Sequence, residues 1–332
     1  MVRLERVRES NASLSSVLPA GLVAVFVGAT SGIGEYSMTA FAKHARNPKV
    51  YFVGRSEEAA NRIVAECKKL NSGGEYIFIK ADVSLMTNVD KVCEEIKSKE
   101  TNINILFQSQ GSFSLGTETS EGLPTILALG FASRMRFIHN LLPLIQQSTS
   151  LKRVVNVLAG TKEGAIDESD WEGRNITGSP LKGRGQACAM TTLTLEILSK
   201  RAPDVSFIHD FPGFVKSNIG REAKGFGMRL LLGISSLLAP FIAVPTEESG
   251  ERHVFLVASA KYPPASGQGS SGVPVGEGVE VARGTDGKVG SGVYSVDWDG
   301  ESAPPKVEEL LARLRSDGVT ERLQKRWEHI IA

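Results

Sequence analysis

Short apolar runs alternate with longer amphipathic stretches along the first two thirds of the chain. An uninterrupted apolar run indicates a strand covered by helices on both faces, because neither face then needs polar residues. Such a run predicts a strand at 22–27, and mostly apolar runs predict strands at 49–53, 76–79, 103–107, 153–158 and 205–209. Apolar residues at helical spacing predict helices after residue 34 and at 57–70, 88–97, 125–146 and 187–199. Repeated strand–helix units of this size predict an α/β fold, namely a Rossmann-like, doubly wound parallel sheet with right-handed crossovers.

The remainder of the chain is predicted to extend this single domain at both ends. The predicted parts are an N-terminal helical extension at 1–20, the Rossmann-type domain at 21–262, and a C-terminal loop, hairpin and helix at 263–332 that packs on this domain. Two short apolar runs, 279–282 and 293–296, flank a glycine-rich stretch and therefore predict the hairpin. Leucines on one face of 306–314 predict the closing helix. Such a tail would shape a pocket or cover an edge strand.

The charge balance argues against a polyanionic partner. Lys and Arg total 38, and Asp and Glu total 37, so no global basic field favours nucleic acid and a small neutral molecule is the expected partner. The cysteines Cys67, Cys93 and Cys188 form no CxxC pattern, which argues against disulfides or a metal site and for a reducing compartment. Charged residues before residue 22 leave no apolar core for a signal peptide. We therefore expect a cytoplasmic protein without a metal, in which the Asn175 sequon stays unmodified.

Three glycines, Gly28, Gly32 and Gly34, follow the first predicted strand. Glycine allows a tight turn and a close approach of the backbone to a pyrophosphate. The free N–H groups and the dipole at the start of the next helix favour the phosphate charge. This placement predicts a dinucleotide-binding loop. A glycine triplet alone is weak evidence, so a plain tight turn is the alternative.

Further motifs follow in an order that is typical of a known family. The loop GATSGIG at 28–34 reads GxxxGxG, and Asp82 follows the third predicted strand. Gly111 closes the fourth strand, RVVNV at 153–157 is the fifth, and PGFVKS at 212–217 follows the sixth. On these motifs, over about residues 20–260, the chain resembles the short-chain dehydrogenase/reductase superfamily, and more narrowly a group of fungal proteins associated with secondary metabolism. The resemblance implies an enzyme with cofactor-binding residues at Gly28, Thr30, Ser31, Gly32, Ile33, Gly34, Asp82, Val83, Gly111, Pro212, Gly213 and Val215.

The residue after the second predicted strand bears on the choice of cofactor. NAD-binding proteins of this fold place an acid there against the ribose 2′-hydroxyl. This chain has Arg55, which would pair with a 2′-phosphate, so NADP(H) is predicted in preference to NAD(H). The alternatives are that Arg55 is only a solvated charge and that the cofactor site is vestigial.

The reaction of the family needs a tyrosine as general acid or base, a lysine that lowers the tyrosine pKa, and a serine and an asparagine that orient substrate and water. An ungapped alignment places these four positions at Gly183, Ala187, Ala159 and near Gly130, respectively. The usual catalytic side chains are therefore missing. The literal YxxxK match at 76–80 lies in a predicted strand, whereas the motif works on a helix, where residues four apart share a face.

Polar residues near the vacated positions are candidate replacements. Thr161 and Lys162 follow the fifth predicted strand, where a hydroxyl would orient a carbonyl and an ammonium would stabilise an oxyanion or donate a proton. Arg184 lies between the lost tyrosine and lysine positions and would hold a substrate carboxylate or carbonyl. His209 ends the sixth predicted strand and would shuttle a proton near neutral pH. The alternatives are that Thr161 and Lys162 form a solvated turn, that Arg184 faces solvent, and that His209 is a hydrogen-bonded structural histidine.

The most apolar stretch after the predicted sheet is FGMRLLLGISSLLAPFIA, residues 226–243. Arg229, Gly233 and Pro240 interrupt it, so it lacks the roughly 20 apolar residues of a transmembrane helix. By position the resemblance implies a lid over the substrate, at about 218–245. An apolar lid predicts an apolar substrate, because burial of apolar surface contributes about 25 cal/mol per Å². The alternatives are weak contact with a membrane surface through 226–244 and plain core or dimer packing.

Two functions of different classes remain open. In the first, the protein is an NADP(H)-dependent oxidoreductase that reduces an activated carbonyl, iminium or enone of an apolar secondary metabolite, with non-standard proton-transfer residues. In the second, the scaffold catalyses a redox-neutral step such as cyclisation, isomerisation or dehydration. A catalytically silent binding protein is a third interpretation. The glycine loop and Arg55 favour the first function and the vacated catalytic positions favour the second, while the resemblance implies a homodimer through 125–146 and 187–199.

Overall fold

A seven-stranded parallel sheet forms the centre of the molecule in a computed structural model, which describes residues 1–112, 114, 116–175, 180–215, 243–267 and 271–328. The strands are β1 Val23–Val27, β2 Lys49–Gly54, β3 Glu75–Lys80, β4 Ile105–Gln108, β5 Arg153–Val157, β6 Ser206–Asp210 and β7 Val293–Val296. Their order across the sheet is β3-β2-β1-β4-β5-β6-β7, and each adjacent pair is parallel. The predicted doubly wound α/β fold is confirmed. The order reverses between β1 and β4, and folds of this kind bind ligands at such a switch point.

Helices cover both faces of the sheet. They are α1 Leu4–Ala12, α2 Leu14–Val17, α3 Gly32–His44, α4 Glu57–Leu70, α5 Met86–Lys97, α6 Thr125–Leu127, α7 Ser133–Gln146, α8 Pro180–Arg201, α9 Thr246–Ala258, α10 Pro305–Ser316 and α11 Val319–Arg326. A π-helical turn, Ala128–Ala132, joins α6 to α7. The single helix predicted at 125–146 is thus interrupted near its start.

Alternating residues of each strand reach two separate hydrophobic cores. Phe26 of β1 packs on the face that holds Phe41 of α3, whereas its neighbour Val25 belongs to the core that contains Phe137 of α7 and Leu193 of α8. Successive side chains of a strand point to opposite faces, so a strand with helices on both sides is apolar throughout. All five residues of β1 are buried.

The predicted hairpin in the C-terminal tail is wrong. Residues 293–296 form β7, which pairs in parallel with β6 from Phe207↔Val293 to Asp210↔Val296. Residues 279–282 form no strand, and the short antiparallel bridge in this region joins Arg283 to Val289. The run VYSV is buried at all four positions, and such a run stabilises an additional sheet strand better than an exposed hairpin arm. The tail therefore completes the central sheet.

Terminal segments pack against the domain. Asn11 of α1 donates hydrogen bonds to the backbone carbonyl and the carboxylate of Glu251 on α9, at 2.8 and 2.7 Å. At the other end, Arg315 of α10 bonds Glu196 of α8 at 2.8 Å, and the Trp327 ring meets Phe131 edge to face. As a result, residues 188–195 and 197–199 of α8 are buried.

Most of the predicted lid at 218–245 lies outside the described residues, as does most of the apolar stretch 226–244. At its described end, Val244 forms a parallel bridge with Val215. Of the helices at described positions, none is long and apolar enough to cross a bilayer.

Candidate functional site

The glycine loop packs closely against the end of β4. Gly28 has φ of 80°, and a Cβ added there would lie 2.6 Å from the backbone nitrogen of Gln110. A Cβ on Gly34 would lie 2.5 Å from the hydroxyl of Ser109. Gly32, with φ of 59°, begins α3. The loop thus places the free backbone N–H groups at the start of α3 close to the end of β1, an arrangement that fits a pyrophosphate.

Other predicted cofactor residues lie at the same edge of the sheet. Arg55 directly follows β2 and is exposed. Thr30 of the glycine loop packs so closely against Gly54 that a Cβ on Gly54 would overlap the Thr30 side chain. Asp82 follows β3 and accepts a hydrogen bond from the Ser84 backbone N–H at 3.0 Å, which fixes its turn. The ends of β1, β2, β3 and β4 are neighbours in the sheet. The structure therefore brings these predicted residues together around the switch point.

The rest of the predicted cofactor set is placed in the same way. Ser31 precedes α3 and Ile33 lies in its first turn, Val83 is buried beside Asp82, and Gly111 follows β4. Pro212 and Gly213 come shortly after β6, and Gly213 has φ of 73° with Trp298 against it. Val215 is buried.

A second polar group lies at the ends of β5 and β7. The Lys162 ammonium donates to Oδ2 of Asp297 and to the hydroxyl of Thr161, each at 2.9 Å, and lies 4.5 Å from the centre of the Phe211 ring. Thr161 donates from its hydroxyl to the same carboxylate oxygen at 3.2 Å. Its backbone N–H donates to Ser295 at 2.7 Å. Thr161 and Lys162 are thus fixed by β7 and do not form a loose solvated turn.

The backbone of Thr161 is strained. Its φ is 65°, a left-handed conformation that β-branched residues rarely adopt and that costs on the order of 1–3 kcal/mol. The hydrogen bonds to β7 hold it there. Strain of this kind clusters at functional sites, so it marks the turn after β5 as a candidate site.

Beneath this turn, a buried hydrogen-bond network surrounds Glu163. Its Oε1 accepts from the hydroxyls of Thr192 and Ser295, both at 2.7 Å. His209 accepts the Ala159 backbone N–H at Nε2, at 3.3 Å, so its hydrogen is on Nδ1, which donates to Thr192 at 2.8 Å. Burial raises the pKa of Glu163. The network fixes the β5 turn against α8 and β7.

Burial keeps the His209 imidazole neutral. The side chain has no exposed surface, and desolvation lowers its pKa to about 3. Both ring nitrogens have partners within the protein. These facts favour the structural histidine over the predicted proton shuttle, because neither ring nitrogen is left to meet a substrate.

The four vacated positions lie after β5, in the π-helical turn and near the start of α8. Ala159 is 5% exposed just after β5, and Gly130 lies in the π-helical turn, where an added Cβ would meet no atom within 4 Å. Gly183 and Ala187 lie in the first turns of α8. π-Helical turns occur mostly at functional sites. A side chain at Gly130 would therefore begin without a clash at its Cβ.

Two further predictions about α8 and β3 can be placed. Arg184 is exposed near the start of α8, and its neighbour Gln186 is buried and bonds the backbone of Asp167 and Asp170 at 2.8 and 2.7 Å. The YxxxK match at 76–80 lies on β3, an edge strand separated from β5 by four strand spacings, about 19 Å. That match takes no part in the site.

Sequence reasoning missed Asp297. It anchors both Lys162 and Thr161, but the hairpin prediction placed it on the periphery. The available signal was a polar residue directly after a short apolar run, the same pattern that identified Asp82. A strand prediction for 293–296 would have placed Asp297 at the ligand-binding edge.

Comparison with known proteins shows extensive similarity. The family model for short chain dehydrogenase matches residues 22–162. Oxidoreductase AN1596 of Emericella nidulans is 39% identical over 99% of this chain and 97% of its own length. Oxidoreductase andH of Emericella variicolor is 38% identical over 90% and 88%, and the short-chain dehydrogenase/reductase SAT2 of Stachybotrys chartarum is 29% identical over 95% and 92%.

Solved structures share the fold at low sequence identity. The RhlG/NADP active-site complex of Pseudomonas aeruginosa superposes with a TM-score of 0.53, at 18% identity over 80% of this chain and 98% of the other. L-sorbose reductase of Gluconobacter frateurii, complexed with NADPH and L-sorbose, gives 0.55 at 19% identity over 78% and 97%. At such identities the likeness concerns the fold alone.

Proposed function

The chain belongs to the short-chain dehydrogenase/reductase superfamily, and from that premise we propose that it is an NADP(H)-dependent reductase of an apolar carbonyl, iminium or enone. The observation that carries the proposal is the glycine cradle. A Cβ at Gly28 or Gly34 would overlap atoms at the end of β4, so both positions require glycine. This tight turn brings the start of α3, with its free backbone N–H groups, to the switch point of the sheet, where a pyrophosphate would bind.

The preference for NADP(H) rests on Arg55. Its exposed guanidinium follows β2, where it would pair with a 2′-phosphate through charge-assisted hydrogen bonds. Asp82 would face the adenine. The two structures of similar fold described above are complexes with NADP and NADPH, so the fold is compatible with a phosphorylated nicotinamide cofactor.

Lys162 is the proposed proton donor. When bound, the nicotinamide would supply the hydride, and the chain must stabilise the oxyanion and protonate it. The Lys162 ammonium lies at the ligand-binding edge, beside Phe211, and is oriented by Asp297 and Thr161. Loss of a general acid costs about 10²- to 10⁴-fold in rate, which an electrophilic substrate with a lysine donor would tolerate. Arg184 would bind a polar group of the substrate.

An apolar substrate fits the exposed surface around this edge. Leu181, Phe214 and Trp298 are large apolar side chains with exposed fractions of 70, 41 and 37%. Phe214 and Trp298 follow β6 and β7 at the carboxyl-terminal edge of the sheet, and Leu181 lies in the first turn of α8. Their burial by a bound apolar molecule would be favourable. The three cysteines are free and buried, which supports a reducing compartment such as the cytoplasm.

A redox-neutral reaction is the second candidate. Four positions that the usual reduction requires hold Gly130, Ala159, Gly183 and Ala187. If the cofactor only shaped the pocket, Lys162 and Asp297 would act as an acid and a base in an isomerisation or a dehydration.

One experiment separates the two candidates. The protein is incubated with NADPH that carries deuterium at the transferable position and with a panel of apolar enones, ketones and iminium compounds. Deuterium in the product, detected by mass spectrometry and reduced by Lys162→Met, supports reduction. Conversion of a substrate without deuterium transfer supports the redox-neutral function. The matched control is Lys152→Met, which removes a lysine that pairs with Asp204 at the opposite end of β5.

A further inference from the structure

A buried histidine and aspartate form a close pair behind the candidate site. Asp210 ends β6, His253 lies on α9, and both side chains are almost entirely buried. Nε2 of His253 lies 3.1 Å from Oδ2 of Asp210, and Nδ1 lies 2.6 Å from the carbonyl oxygen of Ser249. A carbonyl oxygen can only accept, so Nδ1 carries a hydrogen.

The second contact then requires one more hydrogen. A neutral imidazole that is protonated at Nδ1 would present a lone pair to the carboxylate, and two acceptors repel at 3.1 Å. The contact is stable when either His253 is an imidazolium or Asp210 is a carboxylic acid. Both forms contain one shared proton and have no net charge, as burial in an apolar environment favours.

The surroundings of the pair are partly acidic. Burial raises the pKa of Asp210, the negative charge of Asp297 raises it further, and the bond to His253 opposes both. The Phe107 ring on β4 meets the imidazole edge to face at 5.6 Å. Other charged or titratable groups around the pair are Arg252 and Glu251 of α9, Asp299 and Glu301 after β7, His209 of β6 and Tyr262.

A small cavity connects this pair to the candidate site. Asp210 and His253 line it together with Asp297 and Trp298, and its volume is about 10 Å³. That volume is about the size of one water molecule, and the side chains of Asp210, His253 and Asp297 supply polar partners among mostly apolar walls. On its far side, Asp297 binds the Lys162 ammonium at 2.9 Å. The cavity and Asp297 thus lie between the pair and Lys162.

We propose that the Asp210–His253 pair is a proton reservoir that recharges Lys162 through the cavity and Asp297. This inference rests on the reduction proposed above. In the balanced step, the hydride that bound NADPH would supply adds to the carbonyl carbon as the C=O π bond opens, and Lys162 would transfer one proton to the oxygen to form the hydroxyl. The resulting amine regains a proton from the pair, and the pair regains one from solvent. Asp210 and His253 act through Lys162 and are positioning residues.

The protonation state can be measured without a substrate. The ¹⁵N shifts of His253 and the ¹³C shift of the Asp210 carboxyl are recorded across neutral pH in the full-length protein. The proposal expects an imidazolium with a carboxylate or an imidazole with a carboxylic acid, and in either case the two groups lose one proton together. A neutral imidazole beside an ionised carboxylate would overturn it. His44, which pairs with Glu251 at 2.9 Å, serves as an internal reference for a histidine outside the path.

The path itself is tested by the pH profile of reduction. Asp210→Asn keeps the shape of the pair but removes its ionisable carboxyl, so we expect about a tenfold or greater loss in rate and a shift of the pH profile relative to the wild type. His253→Gln should behave in the same way, whereas His44→Gln should keep the wild-type profile. Wild-type profiles in Asp210→Asn and His253→Gln would refute the path. A wild type without hydride transfer would refute the proposed function, while the shifts above would still test the reservoir.

Discussion

The glycine cradle can be tested by a single methyl group at Gly28. In Gly28→Ala the new Cβ would lie 2.6 Å from the nitrogen and 2.8 Å from the Cα of Gln110. Both are backbone atoms at the end of β4, so neither can rotate away as a side chain would. The φ of 80° also remains in the region that residues with a Cβ disfavour.

The expected cost follows from these two effects. A left-handed conformation costs a non-glycine residue about 1–2 kcal/mol, and overpacking of a close contact costs about 1–3 kcal/mol. Together we expect the free energy of unfolding to fall by about 2–5 kcal/mol. If the loop moves to relieve the overlap, the helix N–H groups shift as well, and affinity for NADPH should fall.

Urea unfolding and NADPH titration of the same samples check this prediction. The matched control is Gly276→Ala, because a Cβ there would meet no atom within 4 Å and the backbone is not left-handed. We expect the control to change the unfolding free energy by less than about 0.5 kcal/mol. The reasoning is refuted if Gly28→Ala matches the control in both stability and NADPH affinity.

Three further predictions concern stability and assembly. Contacts with His44, Asn11 and Lys43 hold the pKa of Glu251 at about 2, although burial opposes this. At pH values above the ordinary glutamate pKa, this lowered pKa stabilises the fold by about 2–3 kcal/mol. That stability should vanish as pH falls from about 4.5 to 2 in the wild type, and an equal loss at acid pH in Glu251→Gln would contradict it. Trp327→Ala should lower the unfolding free energy by about 3–5 kcal/mol, since this ring is 1% exposed; the effect should far exceed that of Trp298→Ala in the same urea titration, and equal effects would count against it. Because α8 is largely buried within one chain, sedimentation should give the mass of a monomer, and a dimer that persists at low concentration would show that another surface associates.

Much of the sheet could be predicted because its strands are covered on both faces. The runs that became β1 to β6 are mostly apolar without a regular polar alternation, and they are separated by clear helical periodicity. β7 has an equally apolar run, but its partner β6 lies more than eighty residues earlier, as the pairing Phe207↔Val293 shows. Local pattern favoured a pairing with the nearby residues 279–282. Nothing in the local pattern indicates so distant a partner.

The candidate site was only partly predictable for the same reason. Thr161 and Lys162 were found because they follow a recognised strand. Asp297, which orients them, follows a strand that was misassigned. His209 was predicted at a strand end, but β6 continues to Asp210, so the imidazole lies inside the sheet with both faces covered. The Asp210–His253 contact joins residues forty-three positions apart, and no spacing rule connects a strand end to a helix interior.

The most direct test of the proposed function is calorimetric titration of the wild type with NADPH and NADH. We expect NADPH to bind more tightly, and Arg55→Ala to weaken NADPH binding by about 10- to 100-fold while NADH binding stays unchanged, since charge-assisted hydrogen bonds contribute about 1.5–3 kcal/mol. Lys69→Ala, which removes a charge from the last turn of α4, should leave both affinities unchanged. If neither NADPH nor NADH binds, the proposed reductase is contradicted. If Arg55→Ala weakens the binding of both nucleotides equally, the assignment of Arg55 to the 2′-phosphate is contradicted.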